Sequence, residues 1–410
     1  MNNKKILFFL LFLLWIFPLK LQAQNNTVIT ITPQNFSKIL VRIPPFEGEK
    51  EEELSSLIRK LLNYHLIFVA LKEPPLKGFK EKSYYLKGKL KKGGTILFEG
   101  ELIDTFEEKS LKRYQVSSSS LERLAYALTD QIINDISPYK GISQSRIVFI
   151  KRNEEGDHLY IMDFSKRNLK KIRSATLILF PKFSPSGRKI AYLVYEEKGY
   201  NLEIYDILTG SRESFHINNL SSAPIWDKDE KHLFLTLGKE GDINIYKFSL
   251  DNQSLIPITT GRGVHQAGSL SPDGRYLSYV GDKTGSPQIY LLDLNSNFTQ
   301  RISFEGKYHT SPRFSPKGNL LIYLSSQGKK NQLVVYNLKT KEKKKYPLSD
   351  LSISDPSFSP TGDYLIFKAS GRQQKGLFIL HLDSLLYYIY LPYGNLYFPD
   401  WGKLYLGGAS

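Results

Sequence analysis

Along the last two thirds of this chain, apolar residues fall on alternate positions in short runs, and the runs repeat. Ile190 and Tyr192, Leu233 and Leu235, Leu277 and Tyr279, Leu321 and Tyr323, and Leu365 and Phe367 form one such series, 43 or 44 residues apart. Period-2 spacing places every second side chain on one face of a β-strand. Seven residues before each pair stands an anchor, Phe183, Trp226, Leu270, Phe314 or Phe358, and Trp401 extends the series by one step. A third strand follows after a Gly- or charge-rich turn, as in Leu202–Tyr205, Gln288–Tyr290 and Val334–Tyr336. Four anchors lead into Ser-Pro-x-Gly, a tight turn in which proline fixes φ and glycine supplies positive φ; at Trp226 the turn reads Trp-Asp-Lys-Asp instead. A period of this length with several strands per unit is that of a β-propeller blade, and six anchors predict six blades. Ile147–Ile150 matches a second strand that no anchor precedes, whereas Trp401 is an anchor with nine residues after it. The expected solution is one blade built from both ends, which pairs the C-terminal strand with the first propeller segment and removes the open edge.

Upstream the pattern changes. Ile39–Ile43 reads as a strand, and Leu54, Leu57, Ile58, Leu61 and Leu62 give 49–63 the apolar stripe of a helix. Leu66–Leu71 is a short strand; Ser83–Leu90 and Thr95–Asp104 flank a Lys-Lys-Gly-Gly hairpin; Leu111–Val116 adds another strand. Ser118 or Ser119 is expected to cap a second helix carrying Leu121, Leu124, Leu128 and Ile132 on one face. The expectation is an α+β N-terminal domain over 24–140, a break at Pro138-Tyr-Lys-Gly141, and a six-bladed β-propeller over 141–410.

Residues 1–23 stand apart. Lys4 and Lys5 precede twelve apolar residues, Ile6–Phe17, and Leu21-Gln-Ala23 closes the segment. This is the layout of a signal peptide cleaved after about Ala23; a membrane anchor is the rival, but a spanning helix needs about 20 apolar residues. The absence of cysteine excludes disulfides, thiol metal sites and a thiol nucleophile. The net charge of +16 favours anionic partners. However, its lysines lie in short runs such as Lys89–Lys92 and Lys341–Lys345, read here as solvated hairpin turns, and an exported protein rarely meets nucleic acid.

No nucleophile elbow, zincin motif, Walker loop or dinucleotide fingerprint is present, and no cofactor is expected. His265 and His309, each five residues before an anchor, are expected at equivalent places on neighbouring blades. Two histidines alone make a poor metal site, so a partner-contacting rim is the preferred reading. His65, at a helix end, is read as structural. The segments entering the anchor strands, 220–224, 264–268, 307–311 and 352–356, are rich in hydroxyls, amides and aromatics, without a carboxylate pair for acid/base work. Such a mouth suits gripping a peptide or protein loop; a glycan- or peptidoglycan-binding module and a metal-dependent propeller enzyme are the alternatives.

Particular phrases carry a resemblance. Val41-Arg-Ile-Pro-Pro-Phe46, His65-Leu-Ile-Phe68, Leu124-Ala-Tyr-Ala-Leu-Thr-Asp130, Ser145-Arg-Ile-Val-Phe149, Ile258-Thr-Thr-Gly-Arg262 and Arg301-Ile-Ser-Phe-Glu-Gly306 are similar to the TolB family, the periplasmic component of the Tol–Pal system. The resemblance implies a non-enzymatic, monomeric periplasmic adaptor supporting outer-membrane integrity and cell division. It implies that the channel mouth holds the peptidoglycan-associated lipoprotein Pal and that the segment Gln24–Pro33 engages TolA. By position, the Pal-facing residues would be Ala223, Pro224, Gln266, His309 and Thr310, with His265 beside them. Leu220 stands where the family often has a rim histidine.

Overall fold

The structure, a computed structural model, describes residues 28–30, 37–48, 50–73, 83–196, 199–306, 308–328, 330–346, 348, 351–372 and 374–404. The expected signal peptide and most of Gln24–Pro33 lie outside the described residues. In chain order the elements are β1 (Val28–Thr30), β2 (Ile39–Arg42), α1 (Glu51–Tyr64), β3 (Phe68–Leu71), β4 (Ser83–Lys92), β5 (Ile96–Asp104), β6 (Lys109–Ser118) and α2 (Leu121–Ile136). The propeller begins with β7 (Ser145–Asn153), β8 (Gly156–Asp163) and β9 (Lys170–Ala175). Blade 1 is β10 (Leu177–Phe183), β11 (Lys189–Glu196), β12 (Gly199–Asp206) and β13 (Arg212–His216). Blade 2 is β14 (Ile225–Trp226), β15 (His232–Lys239), β16 (Asp242–Ser249) and β17 (Leu255–Pro257). Blade 3 is β18 (His265–Leu270), β19 (Tyr276–Gly281), β20 (Gln288–Asp293) and β21 (Thr299–Arg301). Blade 4 is β22 (His309–Phe314), β23 (Leu320–Gln327), β24 (Lys330–Asn337) and β25 (Lys343–Lys345). Blade 5 is β26 (Ser352–Phe358), β27 (Tyr364–Ser370), β28 (Lys375–His381) and β29 (Tyr387–Leu391), and β30 (Leu396–Lys403) completes the set.

The N-terminal sheet runs β3-β2-β4-β5-β6, with β2 parallel to both neighbours and the rest antiparallel. Alternate residues of the hairpin, Tyr84 and Leu86 on β4 and Phe98 and Leu102 on β5, are buried in one core with the apolar stripes of both helices. The three acids that open α1, Glu51, Glu52 and Glu53, complement the positive end of its dipole. Ser120, not Ser118 or Ser119, caps α2: its extended backbone lets Oγ accept from Arg123 N at 3.2 Å, while Ser118 Oγ accepts from Ser120 N at 3.3 Å.

Register in the propeller follows the anchors. Phe183 pairs with Ile190, Trp226 with Leu233, Leu270 with Leu277, Phe314 with Leu321 and Phe358 with Leu365. Trp401 pairs in the same way with Ile147, so the sixth blade reads β30-β7-β8-β9. The turn glycines take positive φ, Gly187 at 77°, Gly274 at 78°, Gly318 at 71° and Gly362 at 81°. In blade 2 Glu230 occupies that place at φ 58°, and Asp227 Oδ1 accepts from Lys231 N and His232 N in its turn.

Two charge runs sit differently from the expectation of loop tips. Lys89–Lys92 belongs to β4, where Lys91 meets Glu99 at 2.7 Å and Lys87 meets Glu101 at 3.2 Å across the ladder. Lys343–Lys345 forms β25, and Lys343 is only 4% exposed. A lysine stem is long and apolar enough to line a sheet face. Beyond β25, β1 adds a parallel strand, pairing Val28 with Lys343 and Thr30 with Lys345. Among the described residues, no helix is long and apolar enough to cross a membrane.

Candidate functional site

The inner strands of the ring share a defect that shapes the channel. Register shifts fall between Leu179 and Lys182, Ala267 and Ser269, Thr310 and Arg313, Ser354 and Ser357, and Tyr397 and Asp400. Phe180, Ser311, Asp355 and Phe398, each three residues before an anchor, have φ between 49° and 55°. A bulge of this kind re-aims the next side chains. The residues just before the anchors then meet one another across blades: Lys182 Nζ reaches Asp400 Oδ1 at 2.7 Å, and Ser357 Oγ donates to the same oxygen at 2.9 Å. Asp400 Oδ2 accepts from Phe183 N at 2.9 Å. Arg313 donates through Nη1 to Gly268 O, and its Nε has no partner among the described residues. Burial lowers the pKa of Lys182 and Arg313 and raises that of Asp355, each offset in part by the opposite charges nearby. Two cations, Lys182 and Arg313, and two acids, Asp355 and Asp400, thus lie within electrostatic reach of one another.

The mouth is built from the segments entering these strands. Thr236 ties two of them: Ser222 Oγ donates to Thr236 Oγ1 at 2.6 Å, and that oxygen accepts from Ala267 N at 3.0 Å. Ala223 and Pro224 follow Ser222, and Gln266 precedes Ala267, so these three sequence candidates come to one place on the ring. Ala223 and Pro224 are buried and Gln266 is half-buried. His265 and His309 do hold equivalent positions, each opening an inner strand and pairing with Gly281 and Ser325. Their surroundings differ. His265 Nδ1 donates to Asn244 Oδ1 at 3.0 Å and its ring is half-buried. His309 is 3% exposed and its Nε2 donates to Glu305 O at 2.5 Å. Burial lowers the pKa of both, and Lys343, Arg301 and Lys345 push that of His309 further down. Thr310 is half-buried beside it, paired with Leu324. Leu220 is buried and bridges to Leu237.

Among the described residues, no three His, Asp or Glu side chains are grouped to hold a metal ion. The channel quartet escaped sequence reasoning although the repeat register offered a signal, since Lys182, Arg313 and Asp400 all immediately precede anchors. His65 is fully buried where the two parts of the chain meet, its Nδ1 donating to Leu61 O at 2.8 Å and its Nε2 accepting from Ile142 N at 3.0 Å.

Comparison with known proteins places this geometry. The family model described as the TolB beta propeller domain matches residues 134–405. The Tol-Pal system protein TolB of Alcanivorax borkumensis is 27% identical over 247 residues, 54% of this chain and 57% of that protein. That of Ruthia magnifica is 31% identical over 185 residues, 42% of this chain and 44% of its own. The chain spans about half the length of the curated relatives it matches. The crystal structure of TolB from Acinetobacter baumannii covers 90% of this chain and 97% of its own, with a TM-score of 0.80 at 23% identity, a likeness of fold. With the propeller model matched over more than half its length, the chain belongs to the TolB β-propeller family.

Proposed function

We propose that the protein is a periplasmic, non-enzymatic adaptor of the Tol–Pal system, acting as a monomer. In this reading the channel mouth at Ala223, Pro224, Gln266 and Thr310, with His265 and His309 beside it, holds a Pal-like lipoprotein. The segment Gln24–Pro33 engages a TolA-like inner-membrane protein, and residues 1–23 are removed on export. The domain division, 24–140 and 141–410, belongs to the same proposal. The observation that carries it is the hydrogen-bonded cluster on the inner strands. Lys182 Nζ and Ser357 Oγ both donate to Asp400 Oδ1, which commits these polar side chains to one another and leaves none of the three free for chemistry on a small substrate. The name of two of its relatives, Tol-Pal system protein TolB, supports the same reading. A glycan-binding module draws on the many tyrosines, yet Tyr84, Tyr126, Tyr192, Tyr364 and Tyr390 are core side chains.

Isothermal titration of residues 24–410 with the soluble domain of the same organism's Pal tests the reading. Micromolar or tighter binding, weakened at least tenfold by Ala223→Arg or Gln266→Ala, is expected. Absence of binding at low and at physiological salt would overturn it.

A further inference from the structure

On the blade 3 side of blade 4 lies a cavity of about 200 Å³ that shares only His309 with the proposed mouth. Glu305, Gly306, His309, Tyr323, Ser325, Lys343 and Lys345 line it. The Lys343 ammonium sits 5.3 Å from the Phe304 ring centroid and 6.0 Å from that of Tyr336, and among the described residues it donates no hydrogen bond. Tyr323 and Ser325 also line the cavity, and their hydroxyls form no hydrogen bond among the described residues, but like the Lys343 ammonium these atoms stay accessible to solvent. His309 spends Nε2 on Glu305 O, and its buried Nδ1 has no partner among the described residues. Gly306 keeps the space open: at φ 85°, a Cβ there would stand 3.4 Å from His309 Nε2 and 3.8 Å from Ser325 Oγ.

An ammonium and hydroxyls that open onto a small cavity and bond no protein group are left for water or a ligand to satisfy. Here an ammonium, two hydroxyls and the Glu305 carboxylate surround one space, with the His309 ring in its wall. Arg301 and Lys345 add positive charge nearby, and Glu305, 3.8 Å from Lys345, offsets only part of it. We propose that this cavity binds a single oxyanion, a carboxylate or phosphate group, through Lys343 Nζ and the hydroxyls of Tyr323 and Ser325. Arg301 and Lys345 draw the anion in, and Glu305 competes with it as an internal carboxylate. Once bound, the anion favours a proton on His309 Nδ1, against the repulsion of Lys343, Lys345 and Arg301, so ligand binding raises the histidine's pKa. The inference is independent of the Tol–Pal reading, and small anions test it without any protein partner.

The test uses residues 24–410 with isotope-labelled histidine, titrated at constant ionic strength with inorganic phosphate and, separately, with acetate, against a chloride control. A saturable shift of the His309 resonance with an upward move of its pKa is expected from at least one of the two. Saturation by phosphate alone assigns a phosphate group, and by acetate alone a carboxylate. Lys343→Met and Ser325→Ala should each weaken binding, the former at least tenfold, while Glu305→Gln tightens it. Shifts no different from chloride, or undiminished binding in Ser325→Ala and a folded Lys343→Met, would overturn the proposal.

Discussion

The hydroxyl of Tyr364 donates to the carbonyl oxygen of His65 at 2.9 Å, joining the end of α1 to blade 5 across 299 residues of chain. The contact sits in an aromatic joint: Phe164 stacks on Tyr390 and Trp401 at ring separations of 6.1 and 5.7 Å, and Tyr64 stacks on Tyr388 at 6.1 Å. Both ring nitrogens of His65 are committed in the neutral form.

That commitment gives the protein a pH dependence. Burial brings the His65 pKa down to about 4, and burial does the same for His381. Between their ordinary value near 6.5 and about 4, the unfolded chain binds protons that the folded chain refuses, so stability falls as the pH falls through this window. His65 alone contributes on the order of 3 kcal/mol. Asp130, raised to about 6 by burial, acts in the opposite sense, because the folded state holds its proton more tightly. Urea unfolding at pH 7, 6, 5 and 4.5 should show a net loss on acidification, flattened by His65→Gln and steepened by Asp130→Asn. A wild-type midpoint independent of pH would contradict this.

At the seam of the sixth blade, Trp401 Nε1 donates to Ser145 Oγ at 2.8 Å, and the ring is buried against Phe164. Trp401→Ala removes a buried indole and should cost about 3–5 kcal/mol. Removing β30 from Leu396 onward should lower the melting temperature of the whole propeller, because β7 loses its partner. Calorimetry of the truncated chain showing an unchanged transition would refute this.

Gly402 lies beneath Phe183, where a Cβ would stand 2.4 Å from the ring carbon Cγ. Gly402→Ala must push the blade 1 anchor off its site, at about 1–3 kcal/mol. Gly94, with open space around it, is the control, and Gly94→Ala should leave the denaturation midpoint close to wild type.

In the channel, Lys182→Met leaves the Asp400 carboxylate without its cation and should cost about 3–5 kcal/mol. Lys182→Met with Asp400→Asn should recover part of that loss, since the amide removes the unpaired charge and keeps an acceptor for Phe183 N. Chemical denaturation of the two single variants and the double variant gives the coupling directly.

The anchors made the propeller legible, because each apolar pair seven residues on is the cross-strand partner the ladder requires. Trp401 and Ile147 could be matched for the same reason, although they lie at opposite ends of the repeat. The sites were less legible. His265 and His309 share a register position in the sequence, yet His309 is enclosed under Gly306 while His265 is half-open; that difference comes from the loops between blades, which the repeat does not specify. Lys343 was hidden by its neighbours, since a run of lysines reads as solvated unless the sheet's alternation is followed through it. Ser120 took the cap expected of Ser118 or Ser119 because a one-residue choice among adjacent serines depends on backbone angles and not on composition.

The seam also orders events in time. A chain emerging N-terminus first presents β7 long before β30 exists, and its inner edge stays unpaired until residues near 400 have appeared. Contacts this distant in sequence make for slow ring closure, and an open strand edge is a template for pairing with other chains. The interval between the appearance of β7 and that of β30 is therefore the protein's period of greatest exposure to aggregation, one that a binding partner for nascent chains would shorten or shield.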